Sequence, residues 1–447
     1  MTEMKYITEP AREIPVFAKV DVLVVGGGPA GLSAAIAASR MGMETMLVEK
    51  YGCFGGNITV CAVEPPSWYR MPKTVESKTV LSEIESRAVQ SGISQPCMHN
   101  PPGLGMSHDA DRFKIVCDEM VEENKVEPLL HCMGAYPIME GNEIKGVFTE
   151  SKSGRMAILA KRVIDCTGDG DIACYAGVPY EKGDAYDGRL MGTTLVFGAS
   201  GIDVNAFRQY VSNFSDTVNN PYTLEGLWMP FKEAIDCGEM PGYKRFDIKY
   251  NQLTEAGEAT AINGVSWWDG KFDGTNVKNL TFAEMYLRKR VLYILDILKK
   301  HQKGFENAKL RTFAMQVGVR ETRRIRGEYT LSRFDTIHQA KFSDSIGVFP
   351  VHSDGLGTII VPDSDAYFEV PYGITVPKAV ENMLVAGRCI SGTRASVATT
   401  REMNFCSITG QGAGVAAAIS ILDQVNPRNI NIGKLQAALV KQDIRIH

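Results

Sequence analysis

Apolar positions along this chain follow several rhythms, and each rhythm predicts a different kind of element. Asp21-Val22-Leu23-Val24-Val25 is a continuous apolar run behind one acid, which predicts a buried parallel strand. The small and apolar residues from Ala30 to Met41 predict a helix closed by Gly42, and Glu44 to Val48 predicts a second strand. Helical patterns return over Thr79 to Ser91 and Asp109 to Asn124, separated by a loop from Gln95 to Ser107. Between Val126 and Cys166 the pattern changes to short alternating runs. Runs at 128–132, 135–139, 144–150, 156–160 and 162–166, with turn pairs Gly141-Asn142 and Ser153-Gly154, predict an antiparallel meander. Leu190 to Gly198 predicts a strand. A long helix is expected from Thr281, with Glu284 completing a capping box and Met285, Val291, Leu292, Leu295 and Leu298 on its apolar face. Asn382 to Arg388 predicts another buried strand, and Gly410-Gln411-Gly412-Ala413-Gly414 opens a small-residue helix over Val415 to Leu422.

The junction after the first strand carries chemistry. Gly26, Gly28 and Gly31 have G-x-G-x-x-G spacing where strand turns into helix. The first glycine permits the tight turn, the second admits a pyrophosphate to the backbone, and the third lets helix pack on strand. Pro29 stands near the first helical position, where a missing N–H is harmless. Glu49 ends the second strand eighteen residues after Gly31, where a carboxylate accepts hydrogen bonds from an adenosine ribose. Together these predict binding of an ADP-containing dinucleotide. Gly55 and Gly56 follow at once, either as a second backbone approach to phosphate or flavin or as a simple turn.

Composition narrows the partners. The 447 residues carry a net charge of −4 with no run of lysine and arginine, so neither nucleic acid nor an anionic membrane is an expected partner. No signal peptide is visible in the first nineteen residues, no bilayer-spanning stretch is expected, and a cytoplasmic location follows. Ten cysteines are scattered without a C-x-x-C pair, which predicts reduced thiols and no metal or iron–sulfur site.

The motifs VDVLVVGGGPAGLSAA, GCFGGN, RVIDCTGDGDIACYAGVPY, VGVRETRRIRGEYTLS, VPYGITVP and NMLVAGRCIS…REMNFCSITGQGAGVAAA span roughly residues 20 to 422. With them the chain resembles the bacterial FAD-dependent oxidoreductases of the glutathione-reductase-like, two-dinucleotide-binding-domain superfamily, related to the flavoproteins of fumarate reductase and heterodisulfide reductase. The resemblance implies an α/β fold: a Rossmann-like FAD-binding domain with central parallel sheet and β-meander, plus an inserted mixed α+β substrate domain. The discontinuous FAD-binding domain would comprise 1–60, 126–190 and 371–447, and the substrate or cap region 61–125 and 191–370. No histidine lies just before Gly55, so the FAD is expected to be non-covalent. Gly26, Gly28, Pro29, Ala30, Gly31, Glu49 and Lys50 would hold the ADP half, and Gly55, Gly56 and Asn57 would approach the pyrophosphate or isoalloxazine. Thr167, Gly168 and Asp169 would close over the adenine side, Gly387 and Arg388 would lie beside the flavin chain, and Gly412 and Gly414 would place a helix N-terminus at its pyrimidine edge.

For the reaction itself, His352 is expected as base or acid, or else as a packed histidine without the acid two residues earlier that relatives carry. Arg320, Arg323, Arg324 and Arg401 would clamp an anionic substrate, Arg320 and Arg324 from one helical face; the alternative is a salt-bridge network with Glu321, Glu328 or Glu402. His99, His108, Tyr372, Cys53 and Cys61 are weaker candidates. The expected activity is hydride transfer between a small polar substrate and the flavin, with dehydrogenation of an alcohol or amine favoured. Reduction of an activated alkene and a non-redox isomerase or lyase are the alternatives. The electron acceptor and any homo-oligomer stay open.

Overall fold

A computed structural model describes residues 7–447 apart from 68, 71, 97–104, 214–224, 244–247, 251–252, 268–271, 357 and 363. His99 lies outside the described residues. The centre is a seven-stranded sheet built from β1 (Val16–Val25), β2 (Thr45–Val48), β3 (Glu127–Leu129), β4 (Met133–Glu140), β5 (Glu143–Ser151), β6 (Gly154–Asp165) and β7 (Met383–Val385). Its order is β3-β2-β1-β6-β5-β4, with β7 also joined to β6. Strands β3, β2, β1, β6 and β7 run parallel, whereas β4 and β5 are antiparallel to their neighbours. One long strand reconciles the two styles. β6 pairs along its first half with β5 of the meander and along its last residues with β7, while β1 takes its other edge. The two separate runs expected at 156–160 and 162–166 are thus one strand.

Helix α1 (Pro29–Arg40) crosses between β1 and β2 and is buried over nine consecutive residues, Ala30 to Ala38. It is sandwiched because α5 (Met403–Leu422) lies directly against it. A Cβ on Gly410 would stand 2.1 Å from Ala30 O, and one on Gly414 2.2 Å from Ala34 O. Glycine at both places lets the two backbones approach closely. By length and composition α5 is apolar enough to cross a bilayer, contrary to expectation, but 89% of its apolar window is buried inside the molecule. It is a core helix here.

Helices α2 (Val80–Gln90) and α3 (Ala110–Glu123) form where the sequence places them, and Asp109 caps α3 through the N–H groups of Asp111 and Arg112. Both were expected in the cap region. Their apolar faces instead join the core of α1, with Ile84, Phe113 and Met120 fully buried there, and Ile346, Phe349 and Phe368 join the same core. A second, separate core is smaller and falls within the expected cap region. It gathers residues 195–317 around a four-stranded sheet that includes Phe197–Ser200, Ala259–Asn263 and Lys309–Phe313, with α4 (Val277–His301) packed over it.

α4 begins one turn before Thr281. Asn276 is its N-cap, accepting from the N–H groups of Lys278 and Asn279, and the Thr281 hydroxyl donates to Val277 O inside the helix. Val291, Leu295 and Leu298 are buried, whereas Met285 and Leu292 face outward. Leu190 to Gly198 is likewise not one strand but two short ones, Thr193–Thr194 and Phe197–Ser200.

Candidate active site

The carboxyl ends of β1, β6 and β7 meet at one edge of the sheet, the place where open parallel sheets bind ligands. Gly26 turns the chain with φ +105°, and a Cβ there would stand 2.4 Å from Cys166 O. A Cβ on Gly31 would overlap Gly26 O at 1.7 Å. Gly28 differs from both. Its Cβ would meet only Gly56 Cα at 3.7 Å, so there is open room beside Gly28, while a Cβ on Gly56 would stand 2.7 Å from Gly28 Cα and the second turn lies against the first. Gly55 N–H donates to Gly27 O (2.9 Å) and locks the second turn to the first. Gly28 is also the N-cap of α1 and brings no side chain to cap it, with Pro29 next. The positive end of a buried helix therefore opens onto that room, a setting that favours an anion.

Glu49 is buried at the tip of β2, where its carboxylate accepts the N–H groups of Gly27 (2.6 Å) and Tyr51 (3.0 Å). Lys50 beside it is exposed, its ammonium 5.1 Å over the Tyr51 ring. On the other side, Asp165 is fully buried and accepts from Thr167 N–H, Thr167 O–H and Ala173 N–H, fixing the turn through Gly168. Burial pushes its carboxyl up to about 6. Asp169 and Arg388, assigned to opposite parts of the cofactor, touch each other. Arg388 Nη2 donates to Asp169 Oδ1 (2.7 Å), and Thr322 Oγ1 bonds both side chains. Burial opposes the charge on Asp169, but the Arg388 guanidinium outweighs it and holds the carboxyl below its usual range. Gly387 has φ +90° and donates its N–H to Thr409 Oγ1 (3.0 Å), which brings α5 to the same rim.

A second cluster forms at the start of α5. His352 is buried and stacks on Tyr69, ring centroids 4.4 Å apart, with Nε2 4.0 Å from Glu402 Oε1. Arg401 donates from Nη2 to Asp354 O (2.6 Å) and Asp354 Oδ2 (2.7 Å) and lies 3.5 Å from Glu402 Oε1. Arg320 reaches in from the cap side, donating to Gly192 O and Thr194 Oγ1. Burial lowers Arg320 to about 10, with the like charge of Arg401 adding to it against Asp354 and Glu402. Burial also holds His352 at about 4, Asp354 opposing and Arg401 adding. α5 connects the two clusters, because the Cys406 thiol donates to Arg401 O (3.6 Å) and Thr409, one turn on, accepts the Gly387 N–H (3.0 Å).

Residues 21–439 match the family described as FAD dependent oxidoreductase. The chain belongs to that family. A stretch of 45 residues is 53% identical to dihydrolipoyl dehydrogenase of Trypanosoma brucei brucei, covering 10% of this chain and 9% of that protein. A stretch of 168 residues is 29% identical to digeranylgeranylglycerophospholipid reductase of Picrophilus torridus, covering 35% and 42%. The chain thus spans less than half the length of these relatives. Among solved structures, a myxobacterial chondrochloren halogenase shares the fold at TM-score 0.50 and 10% identity, over 95% of this chain and 79% of that one.

FAD is therefore the cofactor of this oxidoreductase, and the crevice fits it: open room above Gly28, an uncapped helix end, and a carboxylate at the tip of β2. Two expected contacts are corrected. Gly412 and Gly414 lie inside α5, which starts at Met403 after Glu402; Gly414 faces α1, and a Cβ on Gly412 would be 2.6 Å from Ile346 Cδ1. The helix end that borders the site is formed by Arg401 to Asn404 instead.

Arg324 also departs from expectation. It lies on the strand Arg323–Ile325, paired with Tyr180–Lys182, so it shares no helical face with Arg320. Its guanidinium bonds Glu321 (2.9 Å) and Gly183 O (3.1 Å), a network that Arg394 joins through Glu321. Tyr372 is packing, its hydroxyl bonded to Pro427 O. His108 is fully buried against Glu85 and Ser94. Burial raises the thiols of Cys53 and Cys61, the latter to about 11. The sequence reading missed Thr322, Asp354 and Tyr69. Asp354 had a visible signal: it is the acid two residues after His352 rather than two before.

Proposed function

We propose that this enzyme dehydrogenates a small hydroxy or amino compound bearing a carboxylate or similar anion. The observation that supports this is the buried cluster of His352, Arg401, Asp354 and Glu402 at the start of α5, the helix that also reaches the Gly387-Arg388 turn, with Arg320 anchored at Gly192 and Thr194. When bound, FAD supplies a hydride acceptor. Arg320 and Arg401 offer guanidinium forks for the anion, which fixes the substrate's orientation. His352 is neutral at neutral pH, so its imidazole has a lone pair for the proton of the hydroxyl or amine, and the burial that keeps it neutral lowers its basicity. A proton gained at Nε2 would stand near Glu402 Oε1, whose charge stabilises the imidazolium. The dehydrogenase reading extends to non-covalent FAD, an external electron acceptor, and kinship with the glutathione-reductase-like flavoproteins.

One observation favours a second reading. Arg320, whose guanidinium donates to Gly192 O and Thr194 Oγ1, could instead orient an unsaturated acid for reduction of an activated alkene.

Anaerobic flavin absorbance separates the two. Bleaching by a hydroxy acid or amino acid, slowed on the order of 100-fold or more in His352→Ala, is the expected result. Absence of bleaching by any such compound, with reoxidation of chemically reduced enzyme by unsaturated acids, would overturn dehydrogenation in favour of reduction.

A further inference from the structure

We propose that the cap carries a divalent-metal site of zinc type, with Cys237, Glu239 and His301 as ligands. One ligand atom from each of the three lies within 4.8 Å of the other two. The residues come from two helix ends that the fold brings together. Cys237 directly follows the helix Glu225–Asp236, and His301 is the last residue of α4. Carbonyl groups at helix C-termini carry partial negative charge, so a cation is favoured where two such ends meet.

The histidine is set up as metal-bound histidines are. Glu233 Oε2 stands 3.6 Å from His301 Nδ1, while Nε2 turns to Glu239 Oε2, also at 3.6 Å. At 3.6 Å neither contact is a hydrogen bond, but a small approach of Glu233 to Nδ1 would fix the tautomer that leaves Nε2 free to bind metal. Nε2 is shielded from solvent, and its distance to Glu239 exceeds that of a hydrogen bond. The Glu239 backbone is held in turn, because the Tyr293 hydroxyl donates to its carbonyl (2.5 Å).

Tetrahedral zinc, with bonds of about 2.0–2.3 Å, needs ligand atoms roughly 3.5 Å apart, a small rotation from the arrangement seen. Cys237 is exposed and can supply that rotation. Its thiol would lose a proton to solvent on binding. Lys300 Nζ, 3.0 Å from Glu239 Oε2, would compete for the carboxylate, and a water can complete the coordination. The spacing, Cys-x-Glu with the histidine far downstream, matches no linear zinc signature, which is why the sequence pattern predicts no metal.

The test uses the full-length FAD-loaded enzyme after dialysis against a chelator. Zinc is titrated by calorimetry, and cobalt is followed by its ligand-field bands in the red, beyond flavin absorption. The expected result is one equivalent per chain, with affinity reduced on the order of 100-fold in Cys237→Ser and His301→Ala and about tenfold or more in Glu233→Gln. Lys300→Ala should tighten binding, and Cys174→Ser should leave it unchanged. No binding by the wild type, or binding that both ligand variants retain, overturns the proposal. Flavin absorbance and circular dichroism report whether His301→Ala folds; if it does not, the exposed Cys237→Ser decides alone.

Discussion

At His352, protonation and burial oppose each other, and the opposition is measurable as stability. The ring is 2% exposed and packed on Tyr69, with a folded-state value near 4 against an ordinary value of 6.5. Between those values the unfolded chain binds more protons than the native one, so stability is complete above pH 6.5 and falls as pH drops towards 4. The full window corresponds to up to about 3 kcal/mol. The expected outcome in urea melts is that wild type loses more stability than His352→Gln between pH 7 and pH 4.5. Equal losses would mean that the imidazole is not buried neutral. The same residue shows what the sequence made legible: its place in a motif and the neighbouring Asp354 were readable, but the burial under Tyr69 and the charge of Arg401 come from distant parts of the chain. Arg324 shows the opposite case. Four-residue spacing suggested a helix face, and a three-residue strand whose partner lies at 180–182 overrode it.

At the scale of elements, α1 and α5 depend on one another through glycine. Gly410 and Gly414 looked like the opening of a helix because glycine-rich runs near phosphate sites often are. The real start, Glu402, offers no side-chain cap and so no local signal. What the glycines provide is space for Ala30 and Ala34 of the cofactor helix. Gly414→Ala should therefore destabilise the fold by roughly 2 kcal/mol or more, despite alanine's better helix propensity, because the added Cβ meets backbone that cannot rotate away. Thermal melts of the FAD-loaded variant check this, and an unchanged or raised midpoint would show that the helices do not pack this closely. Elements fixed by their own residues, such as β1, α3 and the meander, were readable in sequence. Those fixed by contact with distant chain, such as the outward turn of Met285 and Leu292 on α4, were not.

Across the whole molecule, the cofactor crevice is made by pieces remote in sequence: the turn after β1, the turn after β6 and the start of the segment after β7. A ligand that touches all three stabilises their assembly, whereas no single piece in the unfolded chain can bind it. FAD should then raise stability by RT ln(1 + [FAD]/Kd), about 2.7 kcal/mol at a hundredfold excess over Kd. The melting midpoint of flavin-free protein is expected to climb with FAD concentration, and the yellow colour should leave with the supernatant when the holoprotein is denatured. Flavin that stays with the precipitate would establish a covalent link. Asp169 and Arg388 allow the effect to be localised, since their ion pair joins the β6 turn to the β7 turn at 2.7 Å. Arg388→Met should blunt the FAD-dependent rise while leaving the zinc titration of the cap unaltered, because the two sites share no residue. Loss of both responses together would mean that the variant had unfolded rather than lost a cofactor contact.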